Sequence, residues 1–143
     1  MTTVYLSLGS NLGNRELNIQ KAIYHLENSG IFIEETSSVI ETDPVGGPPQ
    51  GKFFNTVLKV ETSYSPHQLL QTIKSIEQKM GRKKTIINGP RVIDIDILLF
   101  DDQSIHTPEL TIPHPRMKER DFVMRPLKEI APRKAAELLH ANH

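Results

Sequence analysis

The sequence contains no cysteine, and its 143 residues carry no net charge because 17 lysines and arginines balance 17 aspartates and glutamates. The absence of cysteine excludes a disulfide framework, a thiolate nucleophile and a zinc-thiolate cluster. The charge balance removes the global field that would attract nucleic acid or an anionic membrane, so any anion site must be built locally. No apolar run approaches the ~20 residues of a membrane span, and the N-terminus lacks the features of a signal peptide. We therefore expect a single monomeric, cytoplasmic domain over residues 1–143.

Residues 92–100 alternate with a period of two, which predicts a strand. Asp94 and Asp96 should project from one face of it, roughly 6.5 Å apart. Two carboxylates at this spacing repel each other unless a cation lies beside them, and Mg²⁺ is typically held by one or two carboxylates together with substrate phosphates. The alternative is a strand with one solvated acidic face. The opposite, buried face is expected to carry Ile93, Ile95, Ile97 and Leu99, and the acidic face to carry Val92, Leu98 and Phe100 as well.

The composition of the acidic face favours the metal site over the solvated strand. Leu98 and Phe100 are apolar and argue against simple solvation of that face. Arg91 lies just before the acids, on a turn formed by Gly89 and Pro90, and arginine suits phosphate. The stretch therefore predicts a site for a metal and a phosphate.

The elements follow the order strand, helix, strand, strand, helix, strand. Strands are predicted at residues 4–8, 31–42 and 54–61 besides the acidic one, with a bulge near residues 36–38. Asn14 is a helix N-cap, and Ser65 and Gln68 form a capping box before the second helix. This order is typical of the ferredoxin-like α+β fold, a βαββαβ antiparallel sheet with helices packed on one face.

Three loops carry candidate binding residues. Residues 43–52 are rich in glycine and proline, and Asn55 follows them beside two phenylalanines. An amide flanked by aromatics suits a planar heterocycle, although aromatics at the start of a strand more often belong to the core. A basic triplet at residues 82–84 precedes the acidic strand, where it could close over phosphates or be an ordinary solvated loop. Prolines on both sides fix His114 in extended backbone, and Arg120 is a second possible phosphate clamp.

Together these motifs resemble the hydroxymethyl-dihydropterin pyrophosphokinase family of folate biosynthesis over about residues 3–132. The motifs are Gly9-Ser-Asn-Leu-Gly13, Phe54-Asn55, Gly81-Arg82, the run from Gly89 to Asp96, and Ile112-Pro-His-Pro-Arg-Met-Lys-Glu-Arg120 followed by Asp121-Phe122. The resemblance implies transfer of pyrophosphate from ATP to a pterin alcohol, with AMP as the other product. It also implies two Mg²⁺ ions as cofactors.

The resemblance assigns roles to individual residues. The residues implied in catalysis are Arg82, Arg91, Asp94, Asp96 and Arg120, and the two aspartates are the Mg²⁺ ligands. The residues implied in binding the pterin are Thr42, Asp43, Val45, Phe53, Asn55 and Phe122, with the ring stacked between the two aromatics. The residues implied in binding ATP are Lys74, Glu77, Lys84, Arg91, Ile97, His114 and Arg120.

The sequence departs from the family pattern in the basic segment. Relatives often carry a tryptophan immediately before the Gly-Pro-Arg turn, where this chain has Asn88, and Lys74 replaces a glutamine near the adenine. Residues 81–89 have little apolar content and three adjacent cations, so we expect them to form a lid that closes over MgATP.

Two other functions compete with the pyrophosphokinase. A different nucleotidyl or glycosyl transferase could use the same pair of aspartates, and its products would differ. An RNA-binding module could use a ferredoxin-like sheet, but it would present stacking aromatics and a basic face on the central strands. This chain places acids there, which argues against RNA.

Overall fold

The computed structural model describes residues 1–82 and 89–140, and an antiparallel sheet forms its centre. The central strand β1 pairs with β4 on one side and β5 on the other, and β2 and β3 both pair with the far edge of β4. The strands are β1 (Thr2–Ser10), β2 (Phe32–Thr36), β3 (Ile40–Thr42), β4 (Phe53–Thr62) and β5 (Asp94–Phe100). Lys83, Lys84 and Asn88, and most of the predicted lid, lie outside the described residues.

Two helices cover one face of the sheet. Helix α1 (Arg15–Asn28) begins after Asn14, whose side chain accepts a hydrogen bond from the backbone N–H of Leu17. Helix α2 (Pro66–Lys79) begins with the capping box predicted between Ser65 and Gln68. Their apolar stripes pack on the isoleucines, leucines and valines of the sheet to form one core. The predicted βαββαβ order is confirmed, with the second predicted strand divided into β2 and β3.

A bulge separates β2 from β3 and is joined to two neighbouring elements. The buried Ser37 hydroxyl accepts from the N–H of Val57 at 2.8 Å and lies 2.9 Å from the hydroxyl of Thr56. The N–H of Ser38 donates to a carboxylate oxygen of Glu129 at 2.7 Å. These bonds satisfy backbone groups that the strand ladder leaves open. Thr36 pairs with Leu58 and Ile40 pairs with Asn55, so the chain has one extra residue where the bulge was predicted, and a further register shift lies between Ile33 and Glu35.

The second face of the sheet is covered by the C-terminal part of the chain. After the short strands β6 (Ile105–His106) and β7 (Thr111–Ile112), a 3-10 helix (Met117–Glu119) leads into α3 (Asp121–Ile130) and α4 (Pro132–His140). Met117, Val123 and Leu127 form a second core with Tyr5 and Val57. The expectation of helices on one face was therefore wrong, because the apolar positions after residue 116 supply a second covering layer.

Strand β5 carries an irregularity that corrects the predicted faces of its last residues. Tyr5 pairs with Leu99 whereas Leu6 pairs with Ile97, so Leu98 is the extra residue of a bulge. Leu98 and Leu99 both join the second core, and Phe100 joins the first. The predicted positions of Leu99 and Phe100 were wrong, since one extra residue reverses the alternation that follows it.

No helix in residues 1–82 or 89–140 is long and apolar enough to cross a membrane.

The bulge gives a stability prediction. Ser37→Ala removes the acceptor of the buried Val57 N–H, and an unpaired buried donor costs about 1–3 kcal/mol. We expect the free energy of unfolding, measured by urea denaturation, to fall by about that amount. Ser38→Ala is the matched control, because its exposed side chain takes no part in these bonds, and it should change stability by less than about 0.5 kcal/mol. Equal effects of the two substitutions would show that the hydroxyl does not hold the bulge.

Candidate active site

The strand register places three site residues in one row across the sheet. Gly9 of β1 pairs with Asn55 of β4 on one side and with Asp94 of β5 on the other. Directly paired residues project to the same face, and neighbouring strands lie about 4.8 Å apart. The amide and the carboxylate therefore face the same space with only a glycine between them. In the next row, Ser7 lies beside Asp96.

A side chain at Gly9 would crowd Asn55. A Cβ atom at this position would lie 3.0 Å from Oδ1 of Asn55 and 3.5 Å from Cδ1 of Phe53. The missing side chain thus lets the Asn55 amide lie against the backbone of β1. Glycine inside a strand often marks such a close approach, which is the sequence signal that could have identified Gly9 as part of the site.

A cleft of about 840 Å³ opens above this row. The loop of residues 43–52 borders it on one side, and residues 113–122 border it on the other. Its lining residues are Ser7, Gly9, Thr42, Asp43, Pro44, Val45, Gly46, Gln50, Phe53, Asn55, Arg82, Arg91, Asp94, Asp96, His114, Arg116, Glu119, Arg120, Asp121 and Phe122. The structure therefore brings together all of the residues predicted to bind the pterin and all five assigned to catalysis.

The pterin-side residues combine a fixed amide with aromatic rings. Asn55 is 5% exposed, and its Nδ2 donates to the hydroxyl of Thr42 at 2.6 Å, which orients the amide. The guanidinium of Arg91 lies 5.4 Å from the centre of the Phe53 ring, and that of Arg120 lies 5.5 Å from the centre of the Phe122 ring. Each predicted stacking ring therefore has one of the predicted phosphate arginines beside it.

Asp94 is held by two arginines. Nη2 of Arg82 lies 3.3 Å from one carboxylate oxygen, and Nη1 of Arg91 lies 3.5 Å from the other. Arg91 is half-buried, so its contact with Asp94 is less screened than a surface ion pair, whereas Arg82 is exposed. The same guanidinium groups offer planar, multiple donors, which is the geometry that phosphate oxygens accept best.

Asp96 has an unusual protonation state for a carboxyl group. Burial raises its pKa to about 7, and the negative charges of Asp94 and Glu77 act in the same direction. Arg120 and Arg82 oppose the shift but are outweighed. A carboxyl with this pKa is a sign of a functional site, because desolvation and like charges are expensive to arrange without a role.

His114 lies on the opposite side of the cleft, between Pro113 and Pro115. Its backbone N–H donates to the carbonyl of Leu98 at 2.9 Å, which ties the segment to β5. Burial lowers the pKa of His114, and the charge of Arg120 lowers it further. The imidazole is therefore expected to be neutral at pH 7 before a ligand binds.

Three residues predicted to bind ATP do not line the cleft. Ile97 is 4% exposed, with its side chain in the core under α1 and α2, so a ligand could meet only its backbone. Lys74 lies exposed on α2. Glu77 is almost buried, and its carboxylate accepts from the N–H of Ile95 at 2.9 Å. Burial raises the pKa of Glu77, and the hydrogen bond from Ile95 opposes only part of this rise. Lys84 lies outside the described residues, and the other three residues predicted to bind ATP, Arg91, His114 and Arg120, line the cleft.

Several residues of the cleft and its border were not predicted from the sequence. Ser7, Gln50, Glu119 and Asp121 line it without having been assigned a role. Asn11 lies behind the lining and bonds to two segments that border the cleft. No local pattern marks Asn11, because its partners Gln50, Gly51 and Arg91 are remote in sequence.

The family profile and the similar proteins all indicate one family. The profile of the 7,8-dihydro-6-hydroxymethylpterin-pyrophosphokinase (HPPK) family matches residues 5–132. The chain is 43% identical over 127 residues to the 2-amino-4-hydroxy-6-hydroxymethyldihydropteridine pyrophosphokinase of Bacillus subtilis, covering 88% of this chain and 76% of that protein. It is 50% identical over 132 residues to the protein of the same name from Aquifex aeolicus, covering 92% and 82%.

Some relatives are much longer than this chain. It is 48% identical to the folic acid synthesis protein FOL1 of Dictyostelium discoideum, covering 96% of this chain but only 21% of that protein. Among solved structures, the wild-type HPPK-DHPS of Plasmodium falciparum with pteroate aligns with a TM-score of 0.71 at 19% identity, covering 90% of this chain and 38% of the other. At that identity the structural match supports the fold alone.

The raised pKa of Asp96 predicts how stability depends on pH in the metal-free protein. Between pH 4 and pH 7 the unfolded chain loses the Asp96 proton while the folded chain keeps it, so this group lowers stability as pH rises. Asp96→Asn should therefore gain stability relative to wild type across that interval and level off above it, as measured by urea denaturation with a chelator present. Asp102→Asn, at an exposed turn outside the cleft, is the control for replacing an acid by its amide. A stability difference that stays constant from pH 4 to pH 8 would contradict the assignment.

Proposed function

Because the chain belongs to the 7,8-dihydro-6-hydroxymethylpterin-pyrophosphokinase family, we propose that it transfers pyrophosphate from ATP to the hydroxymethyl group of 6-hydroxymethyl-7,8-dihydropterin. The products are AMP and the pterin pyrophosphate, an intermediate of folate biosynthesis. The observation that carries this proposal is the row of Asn55, Gly9 and Asp94, since it sets a heterocycle-binding amide and a phosphate-directed carboxylate on one side of one cleft.

The pterin is proposed to bind at the β4 end of this row. Asn55, oriented by Thr42, supplies an amide that can both donate to and accept from the edge of a planar heterocycle. Phe53 and Phe122 line the same cleft and offer faces for stacking. Residues 43–45 border the same end, where their backbone groups can bond to the ring. The cleft is large enough for a pterin beside a triphosphate.

The donor set near β5 fits Mg²⁺. Asp94 and Asp96 enter the cleft from one strand face, and within residues 1–82 and 89–140 no set of three acidic, histidine or cysteine ligands comes together. That is the arrangement expected for a hard cation that takes its other oxygens from phosphates and water. We propose that the two aspartates hold two ions together with ATP. When bound, the ions would neutralise phosphate oxygens and orient them for displacement.

The arginines and the histidine are proposed to hold the triphosphate. Arg82 and Arg91 already converge on Asp94, and Arg120 and His114 face them across the cleft. In the transfer, the pterin oxygen bonds to the β-phosphorus, and the bond from that phosphorus to the oxygen bridging the α-phosphate breaks. AMP leaves with the electron pair, and the hydroxyl proton passes to water. The guanidinium groups stabilise charge that develops on the phosphate oxygens.

The test is to incubate the protein with ATP, Mg²⁺ and the pterin alcohol and to identify the products. Equal amounts of AMP and pterin pyrophosphate support the proposal. Release of free pyrophosphate, or transfer from a sugar nucleotide, would instead identify one of the other transferases that use paired aspartates. The monomeric state, the cytoplasmic location and the single domain remain predictions from the sequence.

The carboxylate pair gives the first prediction for activity. Asp94→Ala and Asp96→Ala should each lower the rate of AMP formation by several orders of magnitude while leaving a folded protein, because the apolar face of β5 is untouched. Thermal unfolding of each variant checks the fold. Asp102→Ala, an exposed acid outside the cleft, is the control and should keep wild-type activity. Activity within about tenfold of wild type in either site variant would rule out the two-carboxylate metal site.

The side-chain amide of Asn55 gives a second prediction, which concerns substrate binding. Asn55→Ala leaves polar atoms of the pterin unpaired at about 1–3 kcal/mol each, so its affinity for the pterin should fall by roughly ten- to a hundredfold. The affinity for a non-hydrolysable ATP analogue should change much less, and calorimetry can measure both. Asn18→Ala removes an amide that bonds only outside the cleft, to Ser10 and Leu12, and serves as control. Equal losses for both ligands would indicate damage to the fold.

A further inference from the structure

Asn11 uses its whole side chain to join two segments that are far apart in sequence. It follows β1 directly and is 8% exposed. Its Nδ2 donates to Oε1 of Gln50 at 2.7 Å and to the carbonyl of Gly51 at 3.0 Å. Its Oδ1 accepts from the backbone N–H of Arg91 at 2.8 Å, and its own N–H donates to the carbonyl of Arg91 at 3.1 Å. The two N–H groups of the amide thus bond to residues 50 and 51, and its oxygen bonds to Arg91.

Each of these segments belongs to a different half of the cleft. Gln50 and Gly51 lie in the loop of residues 43–52, which borders the proposed pterin end. Arg91 contacts Asp94 and is proposed to hold the triphosphate. Asn11 itself does not line the cleft, so we assign it no direct contact with a substrate. Its position between the two halves allows Asn11 to pass a change in one half to the other.

We propose that Asn11 is a positioning residue that couples pterin binding to nucleotide binding. The proposal rests on the function proposed above. A nucleotide that fixes the Arg91 backbone also fixes the Asn11 amide, and through it the loop that borders the pterin. The loop then needs less ordering when the pterin arrives, so each substrate raises the affinity for the other by the same factor.

The chemistry of the amide explains why this position requires asparagine. Alanine would leave the Arg91 N–H and the Gly51 carbonyl without their partners. Aspartate has nearly the same shape and could still accept from the Arg91 N–H, but it has no donor for Gln50 or Gly51 and would face the Gly51 carbonyl with a negative charge. Asn11→Asp therefore cuts only the loop side of the connection and provides a second variant where alanine fails to fold.

The test is calorimetry of the pterin alcohol with and without a non-hydrolysable ATP analogue plus Mg²⁺. Wild type should bind the pterin more tightly when the nucleotide is present. In Asn11→Ala and Asn11→Asp this enhancement should fall at least about fivefold. Asn14→Ala is the matched control, since it removes an amide three residues away that only caps α1. It should lower stability and leave the enhancement unchanged.

Amide hydrogen exchange in the ligand-free protein provides a second readout that does not depend on the proposed function. Exchange at the Arg91 N–H should accelerate in Asn11→Ala and remain at the wild-type rate in Asn14→Ala. An Arg91 amide that is equally protected in all three proteins would overturn the connection.

The outcomes separate the two proposals. A wild type that binds neither substrate refutes the proposed function, and the exchange experiment then decides the connection alone. A wild type that binds both substrates without enhancement, or Asn11 variants that keep the full enhancement, refute the coupling while the function stands.

Discussion

The pairing of β1 with both β4 and β5 is the constraint on which the site depends. It is the only arrangement of this sheet in which Asn55 and Asp94 meet across a single residue, and that residue is Gly9. A shift of one residue in either pairing would turn the amide or the carboxylates toward α1 and α2. The apolar residues that alternate with them prevent such a shift, because it would turn Leu58 of β4 or Ile95 of β5 out of the core. The core that stabilises the sheet therefore also fixes the geometry of the cleft.

The parts that were predictable from the sequence are those determined by local pattern. The alternation around Asp94 and Asp96, the cap at Asn14 and the capping box at Ser65 depend on neighbouring residues, and the structure has each of them. The family and the ferredoxin-like fold, inferred from motifs in a fixed order, are also confirmed.

The parts that were not predictable depend on remote partners. The bulge at Leu98 exists because of how β5 meets β1, and no feature of residues 94–100 indicates it. The contacts of Asn11 with Gln50 and Arg91 join positions 39 and 80 residues away. The motif that assigned Ile97 to ATP binding also did not reveal that its side chain is buried in the core and faces away from the cleft.

The sheet face toward α3 and α4 is shared between two tasks, and this division limits how the protein can change. Tyr5, Val57 and Leu98 on that face are covered by apolar side chains, whereas the polar residues further along the same strands line the open cleft. The uncovered part includes Asp96, a carboxyl that is costly to ionise. Substitutions that fill the cleft with apolar groups should thus be favoured by selection for stability alone and opposed only by selection for activity. In a homologue that lost its function, we expect the first stabilising substitutions at the boundary between the covered and the open region.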